Sequence, residues 1–153
     1  MEYIVLNNGV KCPIIGIGTF MLSPVDAENS VREALKMGYS LVDTANAYVN
    51  ERAVGRGMKE SGAKREDIFL STKLWPSEYE NPNAVEETLA RLGVDYVDLL
   101  YIHQPAGNWL AGYRLQERRN ENVDYQPAFP KDGIHCFGRS LFPHRTLDGR
   151  RPP

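Results

Sequence analysis

No apolar run in this 153-residue sequence approaches the ~20 residues a membrane-spanning helix needs. The opening Met1-Glu2-Tyr3-Ile4-Val5 likewise lacks the basic segment and long apolar stretch of a secretory leader. Cysteine is scarce. Cys12 and Cys136 lie far apart without CxxC spacing, which fits a reducing compartment better than a disulfide framework. Charge of one sign is not in excess either: the net charge of −2 lacks the basic footprint of a nucleic-acid binder. These absences lead to the expectation of a cytoplasmic protein with no membrane and no nucleic-acid partner, acting on small molecules. What is present, 42% hydrophobic and 25% charged residues, suffices for one buried core.

From Met1 to about Tyr113, short apolar runs alternate with amphipathic stretches, the pattern of strand and helix units around a parallel sheet. Tyr3–Leu6 and Val10–Ile15 flank Asn7-Asn8-Gly9, which predicts a hairpin closed by a two-residue Asn-Gly turn ahead of the first unit. Gly16–Phe20 reads as strand one. Ser23, Pro24 and Asp26 supply an N-cap, a first-turn proline and a capping-box carboxylate for a helix carrying Ala27, Val31, Ala34 and Leu35, stopped at Gly38. Ser40–Thr44 is strand two. Asn50 is placed to cap a second helix that ends at Gly62, and Ile68–Lys73 follows as strand three. Asn81-Pro82 opens a third helix with Val85, Thr88, Leu89 and Leu92 on one face, Gly93 closes it, and Tyr96–His103 is strand four.

After Tyr113 the texture changes. Arg114, Arg118, Arg119, Arg139, Arg145, Arg150 and Arg151 crowd the stretch with five prolines and a single lysine, Lys131, and no helix or strand period survives. Residues 1–113 therefore read as one structured unit and 114–153 as an irregular tail. A shifted reading frame and a divergent disordered tail both account for such a switch; Phe129, Phe137 and Phe142 favour the first, since a solvating tail is poor in aromatics.

Four polar residues fall at or just after strand ends: Asp43, Tyr48, Lys73 and His103. In a β/α barrel the loops after the strands build one face, and active sites form there from several strands. Reduction of a carbonyl needs a proton donor at the oxygen and a group that holds that oxygen. Tyr48 is a natural donor. A phenol gives up its proton reluctantly at neutral pH, and a nearby ammonium such as Lys73 stabilises the phenolate left behind. Asp43 would keep the lysine charged, and His103 as a neutral imidazole would orient the oxygen. Each residue also has a plainer reading: Tyr48 as a packed ring, Asp43 as a strand terminator, Lys73 as a surface side chain lying along Trp75, His103 as a core histidine.

Taken in order, Gly16-Ile17-Gly18-Thr19-Phe20, Val42-Asp43-Thr44-Ala45-Asn46-Ala47-Tyr48, Leu70-Ser71-Thr72-Lys73-Leu74-Trp75 and Tyr101-Ile102-His103-Gln104-Pro105 resemble the successive signatures of the aldo-keto reductase family, in particular its bacterial diketogluconate-type members. Asn50-Glu51 through Gly55 and Leu92–Leu99 resemble it as well, so the likeness runs from about residue 3 to 113. The resemblance implies a (β/α)8 TIM barrel that binds NADPH, with NADH compatible, and reduces aldehydes or ketones without a metal. It implies Tyr48 as general acid tuned by Lys73 and Asp43, and His103 positioning the carbonyl. Gly18, Thr19, Phe20 and Asp43 would contact the cofactor. Phe20, Tyr48, Trp75 and His103 would contact a small carbonyl substrate. Gln104 replaces the tryptophan some relatives carry after the histidine, which points to a different substrate preference.

A barrel of this kind takes roughly 250 residues, and here the family pattern ends after the fourth strand. The chain thus reads as the N-terminal half of a barrel, a hairpin plus about four strands and three helices. The later strands would carry the carboxamide contacts, the stacking tyrosine and the basic groups for the 2'-phosphate; Arg145, Arg150 and Arg151 lack the glycine-rich loop or helix start of such a site. Half a barrel leaves two open sheet edges, which leads to an expectation of self-association. Alternative readings are a catalytic-half fragment without cofactor binding, and a non-catalytic regulatory module. His135, Cys136 and His144 fit no standard zinc spacing, and no metal is expected.

Overall fold

The computed structural model describes residues 2–6 and 8–120. Two strands, β1 (Tyr3–Val5) and β2 (Lys11–Pro13), pair antiparallel with Ile4 opposite Cys12. Leu6 and Val10 continue that pairing, so three residues bridge the strands, and the two-residue turn expected from Asn-Gly is not formed. The Gly9 N–H donates to Leu6 O at 2.8 Å and Gly9 takes φ +83°, the left-handed bulge position of a three-residue loop.

Strands β3 (Gly16–Gly18), β4 (Leu41–Asp43), β5 (Phe69–Leu74) and β6 (Leu99–Ile102) form one parallel sheet in sequential order. Helices α1 (Pro24–Lys36), α2 (Glu51–Ser61) and α3 (Ala84–Leu92) link successive strands. A parallel sheet wound in one direction, with no reversal of strand order, is the winding of a barrel and differs from a doubly wound sheet, which has a switch point. Among the described residues β3 and β6 are its edges.

Side-chain alternation sorts the sheet into two faces. Val42, Leu70, Leu74 and Leu100 join Val31, Val54, Met58, Leu89 and Leu92 of the helices in the main core. On the other face, Leu41, Phe69, Leu99 and Tyr101 pack with Leu6, Val10 and Cys12, so the hairpin covers the strands' N-terminal ends. Register aligns Gly18 with Asp43 and Asp43 with Ser71, one step above Leu41 and Phe69 of that apolar layer, while on β6 the residue level with Ser71 is still the apolar Leu99. A single stride along β5 therefore carries the inner face from Phe69 to Ser71 to Lys73, from apolar to polar.

The helix boundaries follow local chemistry. Ser23 Oγ accepts from Asp26 N at 3.2 Å and donates to the Asp26 carboxylate at 2.6 Å. At the other end of α1, Gly38 N bonds Leu35 O and Tyr39 N bonds Ala34 O, a paired closure that uses the positive φ of Gly38. Asn50 departs from its expected capping role: its side chain makes no bond to α2 and instead donates to Thr19 O at 2.8 Å and Leu22 O at 3.1 Å, pinning the loop after β3. Helix α3 begins at Ala84, two residues later than Pro82 suggests.

A fourth helix, α4 (Trp109–Asn120), was not expected and runs across the boundary placed at residues 113/114. Its pattern is hard to see because Trp109 and Leu110 are exposed while Gly112, a poor helix former, is the point of closest packing: a Cβ there would lie 2.8 Å from the Tyr79 ring. Arg139, Arg145, Arg150, Arg151, His135, Cys136 and His144 lie outside the described residues. Among the described residues no helix is long and apolar enough to cross a membrane, and no group of three His, Cys, Asp or Glu side chains is placed to hold a metal.

Candidate active site

Asp43, Tyr48, Lys73 and His103 come together at the C-terminal ends of β4, β5 and β6. Lys73 Nζ is the hub. It donates to Asp43 Oδ2 at 2.6 Å, to Thr44 O at 2.9 Å and to Tyr48 Oη at 3.3 Å, which uses its three protons. Asp43 Oδ1 accepts from the Ser71 hydroxyl, so both carboxylate oxygens are engaged. The Tyr48 and His103 rings meet edge to face with centroids 5.8 Å apart.

A turn of 3-10 helix at Asn46–Tyr48 delivers Tyr48 over Lys73. The turn ends in Val49 at φ +59°, a conformation that a β-branched side chain rarely adopts, and Val49 is exposed. Strain beside a site residue is retained where neighbouring contacts over-determine the backbone. Here one such contact is Asn46 Oδ1, which accepts from Trp75 N at 2.9 Å.

His103 lies between two rings, with Trp75 edge to face at 4.8 Å on its other side. Burial first, and the Lys73 ammonium second, hold the imidazole below its ordinary pKa of 6.5, while the Asp43 carboxylate pulls the other way. His103 is therefore neutral at pH 7. Its Nδ1 is buried with no hydrogen-bond partner. A bare lone pair is a smaller loss there than a stranded N–H, so we assign the proton to Nε2.

Phe20 stands at the rim, 66% exposed, with its ring 5.1 Å from that of Tyr48, and Trp75 is 38% exposed. Gly18 sits level with Asp43, and nothing lies within 4 Å of where a side chain would begin. Thr19 departs from the expectation that it lines this space. Its side chain is fully buried, with the hydroxyl 2.9 Å from Thr44 Oγ1 and 3.3 Å from Asp43 O, and it braces β3 against β4.

Several contributors were not singled out from sequence. Ser71 was detectable: it precedes Lys73 by two on one strand and so shares its face. Asn46 and Tyr79 were not, because their partners, Trp75 N and the Gln104 backbone, are brought near only by the fold.

The sequence profile of the Aldo/keto reductase family matches residues 14–124. The chain is 44% identical over 167 residues to D/L-glyceraldehyde reductase of Hypocrea jecorina, covering 95% of this chain and 50% of that protein. That match reaches past residue 113, into the arginine- and proline-rich stretch. It is 48% identical over 102 residues to glycerol 2-dehydrogenase (NADP(+)) of Saccharomyces cerevisiae, covering 66% of this chain and 33% of that protein. Among solved structures, an aldo/keto reductase from Brucella melitensis superposes with TM-score 0.75 at 40% identity, over 79% of this chain and 48% of that one. A Bombyx mori aldo-keto reductase in complex with NADP gives TM-score 0.73 at 29% identity, over 79% of this chain and 47% of that one. The chain thus spans between a third and a half of the length of these relatives. Profile, relatives and folds agree with one another: the chain belongs to the aldo/keto reductase family.

Proposed function

We propose that this chain supplies the proton-transfer half of an NADPH-dependent reductase of aldehydes or ketones. The single observation that carries the reading is Lys73 Nζ, held at once by Asp43 at 2.6 Å and by the Tyr48 hydroxyl at 3.3 Å. The residues present suit the nicotinamide end of the cofactor, because the space beside Gly18 is open and the exposed Phe20 ring flanks it. Gly18, Phe20 and Asp43 would hold that end. NADPH, when bound, supplies the hydride for the carbonyl carbon.

The protein's own residues handle the oxygen. Tyr48 Oη–H gives its proton to the carbonyl oxygen, and the Lys73 ammonium stabilises the resulting phenolate at short range. Asp43, tied through its other oxygen to Ser71, keeps that ammonium aimed at the Tyr48 hydroxyl. Neutral His103, with its Nε2–H, donates to the same oxygen and steadies the charge that develops there. Trp75 and Phe20 wall the substrate.

The test is a fluorescence titration of the chain with NADPH, followed by absorbance at the nicotinamide band after an aldehyde is added. Saturable binding and consumption that Tyr48→Phe abolishes are the expected results. Binding without consumption in the wild-type chain defeats the assignment of a working acid, and no binding at all shows that the tetrad half does not hold cofactor by itself.

A further inference from the structure

Every adjacent pair of strand ends at this rim is tied by polar side chains outside the tetrad. The Thr19 hydroxyl meets Thr44 between β3 and β4, and Asn46 holds Trp75 N between β4 and β5. Between β5 and β6 the tie is Tyr79. Its ring is fully buried, wedged beneath Gly112 of α4, and its hydroxyl donates to Gln104 O at 2.8 Å and accepts from Gln104 N at 3.2 Å. One phenol thus satisfies both backbone groups of the residue that follows His103.

We propose that Tyr79 is a positioning residue for His103, fixing through the Gln104 backbone how deeply the imidazole sits between Tyr48 and Trp75. The inference rests on the reading of His103 as the group that orients the substrate oxygen. The geometry supports it at both ends. His103 N is held by Leu74 O at 3.0 Å, so the segment leaves β6 fixed on one side, and the clamp on Gln104 is the next restraint along the chain. Without it the loop is free to swing outward and admit water to a Nδ1 that is now buried and unpartnered. The charged groups acting on the imidazole, Lys73 and Asp43, sit on β5 and β4 and are not touched by the Tyr79 hydroxyl.

The experiment is a titration of the His103 ring protons by NMR in the intact chain, with the signal identified by its loss in His103→Asn. Tyr79→Phe keeps the ring and removes only the hydroxyl. The expected result is a midpoint that moves upward, toward the ordinary 6.5, as water reaches the ring. Met58→Ala, a core change at the far end of α2, should lower stability and leave the midpoint in place. An unchanged midpoint in Tyr79→Phe, or an equal rise in both variants, overturns the proposal. Should Tyr79→Phe fail to fold, hydrogen exchange at the Gln104 amide of the wild-type chain decides: strong protection is expected, and exchange at the rate of a free amide refutes the clamp. None of these readouts needs turnover, so they stand or fall separately from the reductase assignment; if NADPH is consumed, Tyr79→Phe should also raise KM for the carbonyl more than it lowers kcat.

Discussion

Gly55→Ala is the sharpest test of how the helix layer holds the rim in place. In an ordinary helix this change stabilises by about 1 kcal/mol, because alanine is the better helix former. Here the new Cβ would lie 2.0 Å from Leu92 O and 2.7 Å from Leu92 C, backbone atoms that no side-chain rotation can clear. Ordinary contact begins at 3.4 Å, so α2 and α3 must part by roughly 1.4 Å. Opening the interface that far exposes on the order of 100 Å² of apolar surface around Val54, Met58 and Leu92, about 2.5 kcal/mol at 25 cal per Å². It also strains the ion pair between the buried Glu51 and the half-buried Arg91 that spans the same helices. Clash and opening together outweigh the propensity gain and leave a net loss of about 2 kcal/mol or more. Urea unfolding followed by circular dichroism should show the midpoint falling by about 1 M. Gly57→Ala, whose Cβ meets Glu28 O of α1 at 2.5 Å, should lose less. A midpoint for Gly55→Ala equal to or above wild type would show that the helices are not in contact as described.

Three other outcomes are expected. Val49→Asn should stabilise the fold by about 1 kcal/mol of relieved left-handed strain and so raise the melting temperature, since Val49 is exposed and loses no packing; a lower melting point would count against that strain. Burial, opposed by Arg91, raises the Glu51 carboxyl above its ordinary value of 4.5, so its contribution to stability is full below about 4.5 and is lost as pH climbs through the raised value. Glu51→Gln should flatten that decline in a stability-versus-pH series, and an unchanged slope would refute it. The depressed His103 works in the opposite sense: stability present above 6.5 is lost as pH falls through the lower folded value, so His103→Gln should blunt acid destabilisation in that window, and a curve parallel to wild type would exclude the effect.

Much of the scaffold was legible because its signals are local. Ser23-Pro24, Gly38, Gly62 and Gly93 start or stop helices through bonds within a few residues of themselves, and each does so in the structure. Asn50 misled for the complementary reason. Its amide has two uses, capping α2 or bridging to the loop after β3, and only the position of that loop selects the second. Helix α4 escaped notice because its closest packing contact is a glycine, which carries no hydrophobic signal, and Tyr113 beside it joins the core while Trp109 and Leu110 stay exposed.

The sequence by itself determined the kinds of residue at the strand ends and, through period-two alternation, that Ser71 and Lys73 share one face of their strand. It did not determine the distances among the strand-end residues. Lys73 reaches Asp43 across one strand pairing and Tyr48 through a turn, and contacts between residues 25 and 30 positions apart are set by register and loop closure, which no local propensity encodes. The same cause separates Thr19, expected at the pocket and found buried as a brace, from Tyr79, unremarked in sequence and found gripping the segment of His103. Residue chemistry names the candidates, and tertiary packing decides which of them faces the cleft and which holds the others there.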